Sequence, residues 1–230
     1  MTANNRASAL AVLLLLSAPG AQATLASAAT FEQKVENAAA IILGKCVRTE
    51  SRFDPTGRWI LTYSTFAVEK TMKGSPVPEV TLVTPGGHVG SIHQDTIGIS
   101  AFRPGTEHVV FVKDTRLGPT VLYFDQGAYD VATGARGERI VSPAPTDLVT
   151  IDTQRGVAVS PDEPQPLPDF ERRVADTIRD LRDRKIRMDA IAAEKLRRQT
   201  SFWATWGKNR WIIFVALAGI AFATWSLLRH

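Results

Sequence analysis

Two histidines and an aspartate share one glycine-containing stretch, and side chains of these types can bind metal or transfer protons. The sequence LVTPGGHVGSIHQDTIG, residues 82–98, places His88 and His93 five positions apart, with Asp95 close behind. A catalytic zinc ion needs three protein ligands on rigid elements and an open position for water. His108 is the third histidine of the same region. One hypothesis is therefore a metal-dependent hydrolase built on His88, His93 and His108.

The same stretch is also typical of a turn. Proline sets the first dihedral angle of a turn and glycine permits positive φ, as in the PGG at positions 85–87. A spacing of five places the two histidines on no common helical face. We therefore predict a solvent-exposed loop at the rim of the domain, without a bound metal, a cofactor or a catalytic residue. The rim-loop residues that we expect to bind a partner are Pro85, Gly86, Gly87, His88, His93, Asp95 and Phe102.

Motifs of other catalytic classes are missing from the sequence. It contains no Gly-x-Ser-x-Gly elbow, no Gly-x-x-x-x-Gly-Lys phosphate loop and no dinucleotide fingerprint. The lone Cys46 cannot form an internal disulfide, and it lies in the strand-like run IILGKCVRT, where we expect a buried apolar role. A catalytic site built on two carboxylates stays an alternative, because the distance between the two groups depends on the tertiary structure. The absence of motifs favours a protein that is not an enzyme.

Both ends of the chain carry apolar segments that indicate export and membrane attachment. Residues 1–28 contain an early arginine, the run ALAVLLLLSAPG, and two small-residue sites, AQA ending at Ala23 and ASA ending at Ala28. This is the pattern of a secretory signal peptide. Trp211 to Leu228 is a run of uncharged residues long enough, as a helix, to cross a bilayer. We predict a single-pass protein of the cell membrane with an extracytoplasmic globular domain.

Basic residues beside the predicted span complicate this topology. Positive charges close to a span normally face the cytoplasm. Either the N-terminal signal overrides this tendency, or the tail is a sorting signal that a protease removes. The basic residues on the predicted outer side are Lys195, Arg197, Arg198, Lys208 and Arg210.

The region between the two ends is strand-rich. Apolar and β-branched runs separated by Gly and Pro turns predict five strands and no convincing helix. We therefore predict a mainly β domain, residues 29–140, folded as a small five-stranded OB-like antiparallel barrel, closed or nearly closed. A β-sandwich is the alternative. Gly127 is expected at a bulge or a barrel corner, where a side chain would not fit. The strand segments are 38–47, 58–72, 80–84, 107–114 and 119–132.

The composition changes after the predicted barrel. Residues 141–168 contain six prolines and predict an extended, stiff linker. Asp169 is the expected N-cap of a charged amphipathic helix over residues 169–200, whose apolar residues recur at a three-to-four spacing. We expect this helix to be a solvated stalk, to form a homo-oligomer as a short coiled coil, or to contact anionic lipid through its basic face.

The net charge of +4 is distributed unevenly. Between Glu171 and Arg210 the chain has 12 basic and 6 acidic residues, a net of +6, and the remainder of the chain carries −2. The globular region is therefore close to neutral. It has no basic stripe interleaved with aromatic residues, and this argues against a nucleic-acid partner.

The order of several short motifs resembles a known group of domains. The runs ENAAAIILGKCV, VEKTMKG, PGGHVG, FRPGTEHVVFV and VLYFDQGAYDV, within residues 31–140, are similar to those of uncharacterised secreted bacterial domains. The same succession resembles the netrin-like, or tissue-inhibitor-of-metalloprotease-like, barrel, an OB-type fold. The resemblance implies this fold and binding through rim loops. The inhibitors use an N-terminal cysteine and several disulfides, which this chain lacks.

These features together favour a binding protein over an enzyme. We predict a non-enzymatic, membrane-tethered, extracytoplasmic interaction module of the bacterial envelope with a protein partner there. One alternative is the metal-dependent hydrolase described above. Another is a protease-inhibitor-like module that docks through the barrel-rim loops.

Overall fold

The computed structural model describes residues 25–208 apart from 147 and 154, together with residues 215, 218–220, 224 and 225. The chain divides into two compact units, of which the first ends at Thr177 and the second begins at Ile178. The predicted signal peptide up to residue 24 and most of the predicted span at 211–228 lie outside the described residues. No helix formed by the described residues combines the length and the hydropathy that a membrane crossing requires.

Strands are the main regular elements in the described part of the first unit. Its elements are β1 (Leu25–Ser27), α1 (Phe31–Asn37), β2 (Ala40–Phe53), β3 (Ile60–Lys73), β4 (Glu79–Pro85), β5 (Gly87–Val89), β6 (Ile92–Gln94), β7 (Glu107–Thr115), β8 (Gly118–Val121), a 3₁₀ helix (Phe124–Gly127), β9 (Ala128–Thr133), β10 (Arg139–Pro143), β11 (Val149–Asp152), β12 (Val157–Ala158) and β13 (Gln165–Pro166). Helix α2 (Leu167–Lys208) begins in the first unit and continues into the second.

One antiparallel sheet contains most of these strands. Within the described residues it has eight strands, in the order β13-β10-β9-β7-β2-β3-β4, with β8 paired to β7 beside β9. β5 and β6 form a separate hairpin. β1 pairs in parallel with β11, which also pairs with β12. The mainly β class is confirmed, and the sheet is larger than the five strands predicted.

The predicted barrel is not closed. The sheet curls enough to bring β8 near β4, where a Cβ on Gly118 would lie 3.1 Å from Val83 Cγ2. No strand pair joins β4 to β8 in the part of the chain that the structure describes. One edge of β7 is shared by β8 and β9, and β9 continues the ladder through β10 to β13. The sheet stays open because this edge carries further strands and does not pair with β4.

The predicted strands at 38–47 and 58–72 form one long antiparallel hairpin. β2 and β3 pair from Ile41 and Lys73 at one end to Phe53 and Ile60 at the other. Three register shifts interrupt the ladder, and such irregularities bend a strand and increase its twist. At one of them Gly44 packs so closely on β3 that a Cβ would lie 2.7 Å from a backbone carbonyl oxygen. The bends let two long strands follow the curvature of the sheet.

The predicted strand at 119–132 is interrupted by a corner. Tyr123 and Phe124 have positive φ values of 54° and 62°, and a 3₁₀ helix follows before β9 begins. At Gly127 a Cβ would lie 2.3 Å from the Leu122 carbonyl oxygen. The expectation that Gly127 stands where a side chain would not fit is therefore confirmed.

The inner face of the sheet encloses an apolar core that includes Cys46. Cys46 is a fully buried free thiol, and this agrees with the predicted role of a buried apolar residue. The buried cluster consists of Ile42, Cys46, Phe66, Leu82, Phe102, Val110, Val112, Val121 and Ala128.

The outer face of the sheet carries a second core that the sequence analysis missed. Phe111 alternates along β7 with Val110 and therefore points to the opposite face. There it packs edge-to-face against Phe31 of α1 and Phe170 of α2, at ring-centroid distances of 6.0 and 6.4 Å. The first turns of α2 are thus part of the folded domain, and the prediction of a domain without a helix is wrong.

Helix α1 is short, and it is fixed at both ends. Thr30 and Gln33 form a reciprocal capping box, in which each side chain accepts a hydrogen bond from the other residue's backbone N–H. At the other end Lys73 Nζ donates to the carbonyl oxygens of Val35, Glu36 and Ala38. The Thr-x-x-Gln pattern is the sequence signal that could have predicted this helix.

Parts of residues 141–168, where the sequence predicts a linker, form short strands in the structure. β10 pairs with β9, and β13 pairs with β10 at the edge of the sheet. Pro143 and Pro166 stand at strand ends, positions at which a sheet tolerates a residue without an N–H. Helix α2 begins at Leu167, and Asp169, the expected N-cap, lies in its first turn.

The helix of the second unit exposes its apolar residues. Beyond Leu181 every residue of α2 up to Arg198 is exposed. The apolar members of this exposed segment include Ile186, Met188, Ile191 and Leu196.

Candidate functional site

The glycine-containing stretch forms a tight hairpin. Strands β5 and β6 are joined by a two-residue turn at positions 90–91, and His88 lies directly opposite His93. The two imidazole centroids are 6.5 Å apart, and His93 Nε2 is 2.7 Å from Asp95 Oδ1. The structure therefore brings three of the predicted rim-loop residues together, and all three are exposed.

Pro85, Gly86 and Gly87 connect β4 to this hairpin and hold it against β3. The Gly86 N–H donates to the Ile60 carbonyl oxygen at 2.8 Å, and the Gly86 carbonyl oxygen accepts from Thr62 Oγ1 at 2.6 Å. Both glycines have positive φ, and a Cβ on Gly87 would lie 2.3 Å from Thr62 Oγ1. The glycines are thus needed for a close approach between two hairpins.

The turn of the β2–β3 hairpin presents an exposed tryptophan. The Asp54 carboxylate accepts hydrogen bonds from the Thr56 hydroxyl and from the backbone N–H groups of Arg58 and Trp59. The Thr56 and Trp59 bonds lower the pKa of Asp54 to about 2, so the carboxylate is ionised at neutral pH. Trp59 itself is 60% exposed. The turn is locally ordered, and its large apolar side chain is left in water.

Both hairpins carry exposed side chains at this end of the domain. Strand β5 lies against β2 and β3, and the hairpin turns carry apolar residues that water contacts freely, such as Ile92 at 53% exposure. We call this set the hairpin-end surface. It consists of Phe53, Trp59, His88, Ile92 and His93.

Phe102, the remaining rim-loop candidate, lies in the inner core. Its ring packs edge-to-face on Phe66 at 4.9 Å and on His108 at 5.0 Å. The prediction that Phe102 is a rim-loop binding residue is therefore wrong. The chain leading into β7 turns inward, because the N–H of Gly105 and the carbonyl oxygen of Thr106 pair with Cys46 of β2.

His108 is buried and makes contacts on both sides of its ring. Nε2 is 2.7 Å from Thr106 Oγ1, and Nδ1 is 3.0 Å from Asp130 Oδ1. Burial lowers the pKa of His108, and the nearby Asp130 carboxylate only partly opposes this effect. Phe66 and Phe102 pack on the same ring, so His108 belongs to the core.

The three histidines of the hydrolase hypothesis do not form one site. His88 and His93 are exposed on the β5–β6 hairpin, whereas His108 is enclosed by the inner core. Among the residues that the structure describes, no group of three or more His, Cys, Asp or Glu side chains is placed to hold a metal ion.

A buried lysine lines a cavity of about 170 Å³ between the start of α1 and the segment that follows β10. Lys34 Nζ donates to Asp162 Oδ2 at 2.9 Å and also contacts the Tyr129 hydroxyl. Burial lowers the pKa of Lys34, although Asp162 raises it. Burial would raise the pKa of Asp162, but Lys34 and Tyr129 together lower it. The ammonium and carboxylate groups satisfy each other, so this cluster ties the proline-rich segment to α1.

Two carboxylates on the sheet, Glu69 and Glu107, also bind a cationic side chain. Arg139 donates to both carboxylate oxygens of Glu69 at 2.9 Å and contacts Glu107. Burial raises the pKa of Glu107, and the Arg139 hydrogen bonds lower that of Glu69. Because the guanidinium fills the space between the two carboxylates, the cluster is a cross-strand ion network.

No family model, curated protein or solved structure matches this chain. The site is therefore described from its own residues. Phe53, Trp59 and Ile92 are the members of the hairpin-end surface that sequence reasoning missed. The DPTGRW turn was recognised, but nothing in its composition shows that the tryptophan points into water.

Proposed function

We propose that the protein is a non-enzymatic binding module of the bacterial envelope that docks a protein partner through the hairpin-end surface. The observation that carries the proposal is the exposure of Trp59 and Ile92 on two hairpins that are tied to each other. Large apolar side chains grouped in water are typical of interaction sites. Tryptophan is also enriched among the residues that dominate the binding energy of protein interfaces.

The geometry of the surface supports this role. Hydrogen bonds from Asp54 order the turn that carries Trp59, and the close contact at Gly87 fixes the second hairpin beside it. A surface that is ordered before binding loses less conformational entropy when a partner docks. The free energy lost by leaving these apolar side chains in water is regained when a partner covers them.

The membrane tether is the second part of the proposal. Export by residues 1–28 and anchoring by residues 211–228 would confine the domain to the membrane surface, and this raises its effective concentration for partners there. We also propose that the open curled sheet is related to the netrin-like fold, on the strength of the motif order described above. Retention in the membrane fraction after alkaline washing tests the tether.

Photo-crosslinking in intact cells tests the docking surface. A photoreactive amino acid replaces Trp59 in one strain and Leu117 in another, since Leu117 is similarly exposed, at 65%, on the β7–β8 turn. We expect a discrete crosslinked product from position 59 that Ile92→Ser weakens, and none from position 117. Equal labelling from both positions would remove the hairpin-end surface as the docking site.

A further inference from the structure

We propose that His88 and His93 form a two-histidine site for a divalent transition-metal ion such as Cu²⁺, with Asp95 as a positioning residue. This site is distinct from the three-histidine hydrolase hypothesis, because His108 takes no part in it. It also goes beyond the proposed docking function. A partner could use the hairpin-end surface whether or not a metal is bound.

The strand register brings the two imidazoles together. In a hairpin closed by a two-residue turn, the residues that flank the turn, here Val89 and Ile92, form the first cross-strand pair. The next pair, His88 and His93, is then of the non-hydrogen-bonded kind, in which side chains approach most closely. Both rings also lie on the same face of the hairpin, because directly opposite residues share a face.

Asp95 prepares His93 for coordination. Its Oδ1 is 2.7 Å from His93 Nε2, so this nitrogen donates its hydrogen to the carboxylate. The lone pair of a neutral imidazole then belongs to Nδ1, which can bind a metal ion. A carboxylate that orients a metal-binding histidine in this way is a common arrangement, and it raises the basicity of the ligand.

The hairpin has the fixed backbone that a metal site requires. The Gln94 side-chain oxygen, adjacent to His93, accepts a hydrogen bond from the Ile60 N–H at 2.9 Å. On the other strand, Gly86 is bonded to both Ile60 and Thr62. The glycines therefore join the hairpin closely to β3, and the histidine backbones are held in register before a metal arrives.

The rings need only a small rotation to share one ion. Their centroids are 6.5 Å apart, and metal–nitrogen bonds are about 2 Å long, so the nitrogens must approach each other. Both side chains are exposed, and rotation about their side-chain bonds meets little resistance. Two protein ligands leave the remaining coordination positions to water. Imidazole suits copper, nickel and zinc, and copper is bound most tightly in the general order of affinities.

Calorimetric titration of the purified full-length protein with CuCl₂, NiCl₂ and ZnCl₂ tests the site. We expect one Cu²⁺ per chain, bound more tightly than Zn²⁺. His88→Asn and His93→Asn should each abolish this binding, because one imidazole cannot chelate. Asp95→Asn should weaken it about tenfold while keeping the stoichiometry, as loss of an outer-shell partner does.

His230→Asn is the matched control, since it removes a histidine outside the pair. It should leave the titration unchanged. Copper binding that survives His88→Asn, or that depends on His230, would overturn the proposal. Unchanged affinity in Asp95→Asn would leave the histidine pair but exclude the positioning role of Asp95. Crosslinking at position 59 is measured with His88 and His93 intact, so the docking proposal stands or fails separately.

A separate observation concerns the two small-residue sites in the N-terminal segment. β1 pairs in parallel with β11, and the Ala28 N–H continues the ladder to the Ile151 carbonyl oxygen at 2.8 Å. The Gln126 side chain then accepts from the Ala29 N–H and donates to the Ser27 carbonyl oxygen. The folded domain therefore includes the strand Leu25–Ser27 and Ala28, which lie after the first small-residue site.

From this pairing we infer that signal peptidase cuts after Ala23 and leaves Thr24 as the mature N-terminus. The inference rests on the proposed export. A cut after Ala28 would remove β1 and expose one edge of β11, which would keep only β12 as a ladder partner. Exposed strand edges are prone to unwanted pairing.

Mass spectrometry of the chain exported by a bacterial host tests the inference. We expect a mature chain that begins at Thr24, and we expect Ala23→Phe to block this cut. Ala28→Phe is the matched control and should not change it. A wild-type chain that begins at Ala29 overturns the inference alone, whereas an uncut chain overturns both the inference and the proposed export.

Discussion

His108 lies inside the domain, with one ring nitrogen facing Asp130 of β9 and the other facing Thr106. Phe66 and Phe102 cover the ring. Lys34 is a second buried polar group, bonded to Asp162 and Tyr129 on the other side of the sheet. At the scale of single residues, burial therefore decides how these groups titrate, and their partners decide how much each contributes to stability.

The stability of the domain should depend on pH through His108. Its pKa in the folded state is below the ordinary value of 6.5, so the unfolded chain binds this proton more readily. The stabilising contribution is complete above pH 6.5, and it is lost as the pH falls through the folded-state pKa. Urea unfolding measured at intervals of about half a pH unit, from pH 7.5 to pH 5, should show that the free energy of unfolding decreases as the pH falls.

His108→Gln is the variant that isolates this effect. It keeps a polar side chain of similar size but removes the titration. We expect the decrease between neutral and mildly acidic pH to become smaller than in the wild type. An unchanged pH profile would show that other groups cause the decrease.

Lys34→Met should destabilise the domain. The change removes a buried charged hydrogen bond from the Asp162 carboxylate, which keeps Arg173 at 3.3 Å and the Tyr129 hydroxyl at 2.7 Å, so we expect a cost of about 1.5–3 kcal/mol. Lys113→Met, at an exposed lysine of β7, is the matched control and should change the free energy of unfolding by less than about 0.5 kcal/mol. Urea denaturation measures both. A double variant with Asp162→Asn should recover part of the loss; if it recovers none, the pair does not act as a unit.

Helix α2 shows that one element can have two environments. Phe170 and Val174 are fully buried against the sheet, whereas Ile186 and Leu196 are exposed. The repeating apolar pattern is the same in both parts. It correctly predicted a helix but could not indicate where the helix leaves the domain, because that depends on Phe31 and the other aromatic residues that the fold brings to it.

Phe170→Ala tests the docking of the first turns of α2. The phenyl ring contacts three other aromatic rings, so its removal should cost about 3–5 kcal/mol of unfolding free energy. Ile186→Ala, farther along the same helix, should cost less than about 0.5 kcal/mol because that side chain is exposed. Chemical denaturation of both variants decides the matter. Equal effects would mean that the helix is not part of the core.

At the scale of the whole molecule, the excess positive charge lies in the C-terminal helical segment and not in the strand-rich region. The excess of basic residues lies between Glu171 and Arg210, and the apolar residues of the same helix are exposed beyond Leu181. A basic helix with an exposed apolar stripe is suited to anionic lipid. The same charge opposes side-by-side pairing of two copies, so we favour lipid contact over a coiled coil.

Vesicle co-sedimentation tests this preference with a chain that ends at Lys208. We expect binding to vesicles that contain phosphatidylserine, little binding to phosphatidylcholine alone, and loss of binding in high salt. Replacing Arg182, Arg184, Lys185 and Arg187 with Gln should weaken binding by on the order of a thousandfold, since each basic residue contributes about 1 kcal/mol at the surface. Equal binding to both vesicle types would show that the basic residues do not direct the contact, and binding to neither would favour self-association through the apolar stripe.

Some of this architecture follows from local sequence alone. The β2–β3 hairpin, the turn chemistry at positions 85–87, the close approach at Gly127 and the charged helix were predictable, because each depends on residues that are near one another in the chain. The Thr30 and Gln33 capping box was equally local and was overlooked.

Other features were decided only by the tertiary structure. The open sheet depends on β9 and β10 extending the ladder beyond β7, and the burial of Phe102 depends on a turn that pairs with β2. Phe170 reaches Phe31 across more than a hundred residues of chain. The exposure of Trp59 to water has the same origin. Local propensity carries no information about contacts between distant segments, because those contacts form only when the whole sheet folds over its core.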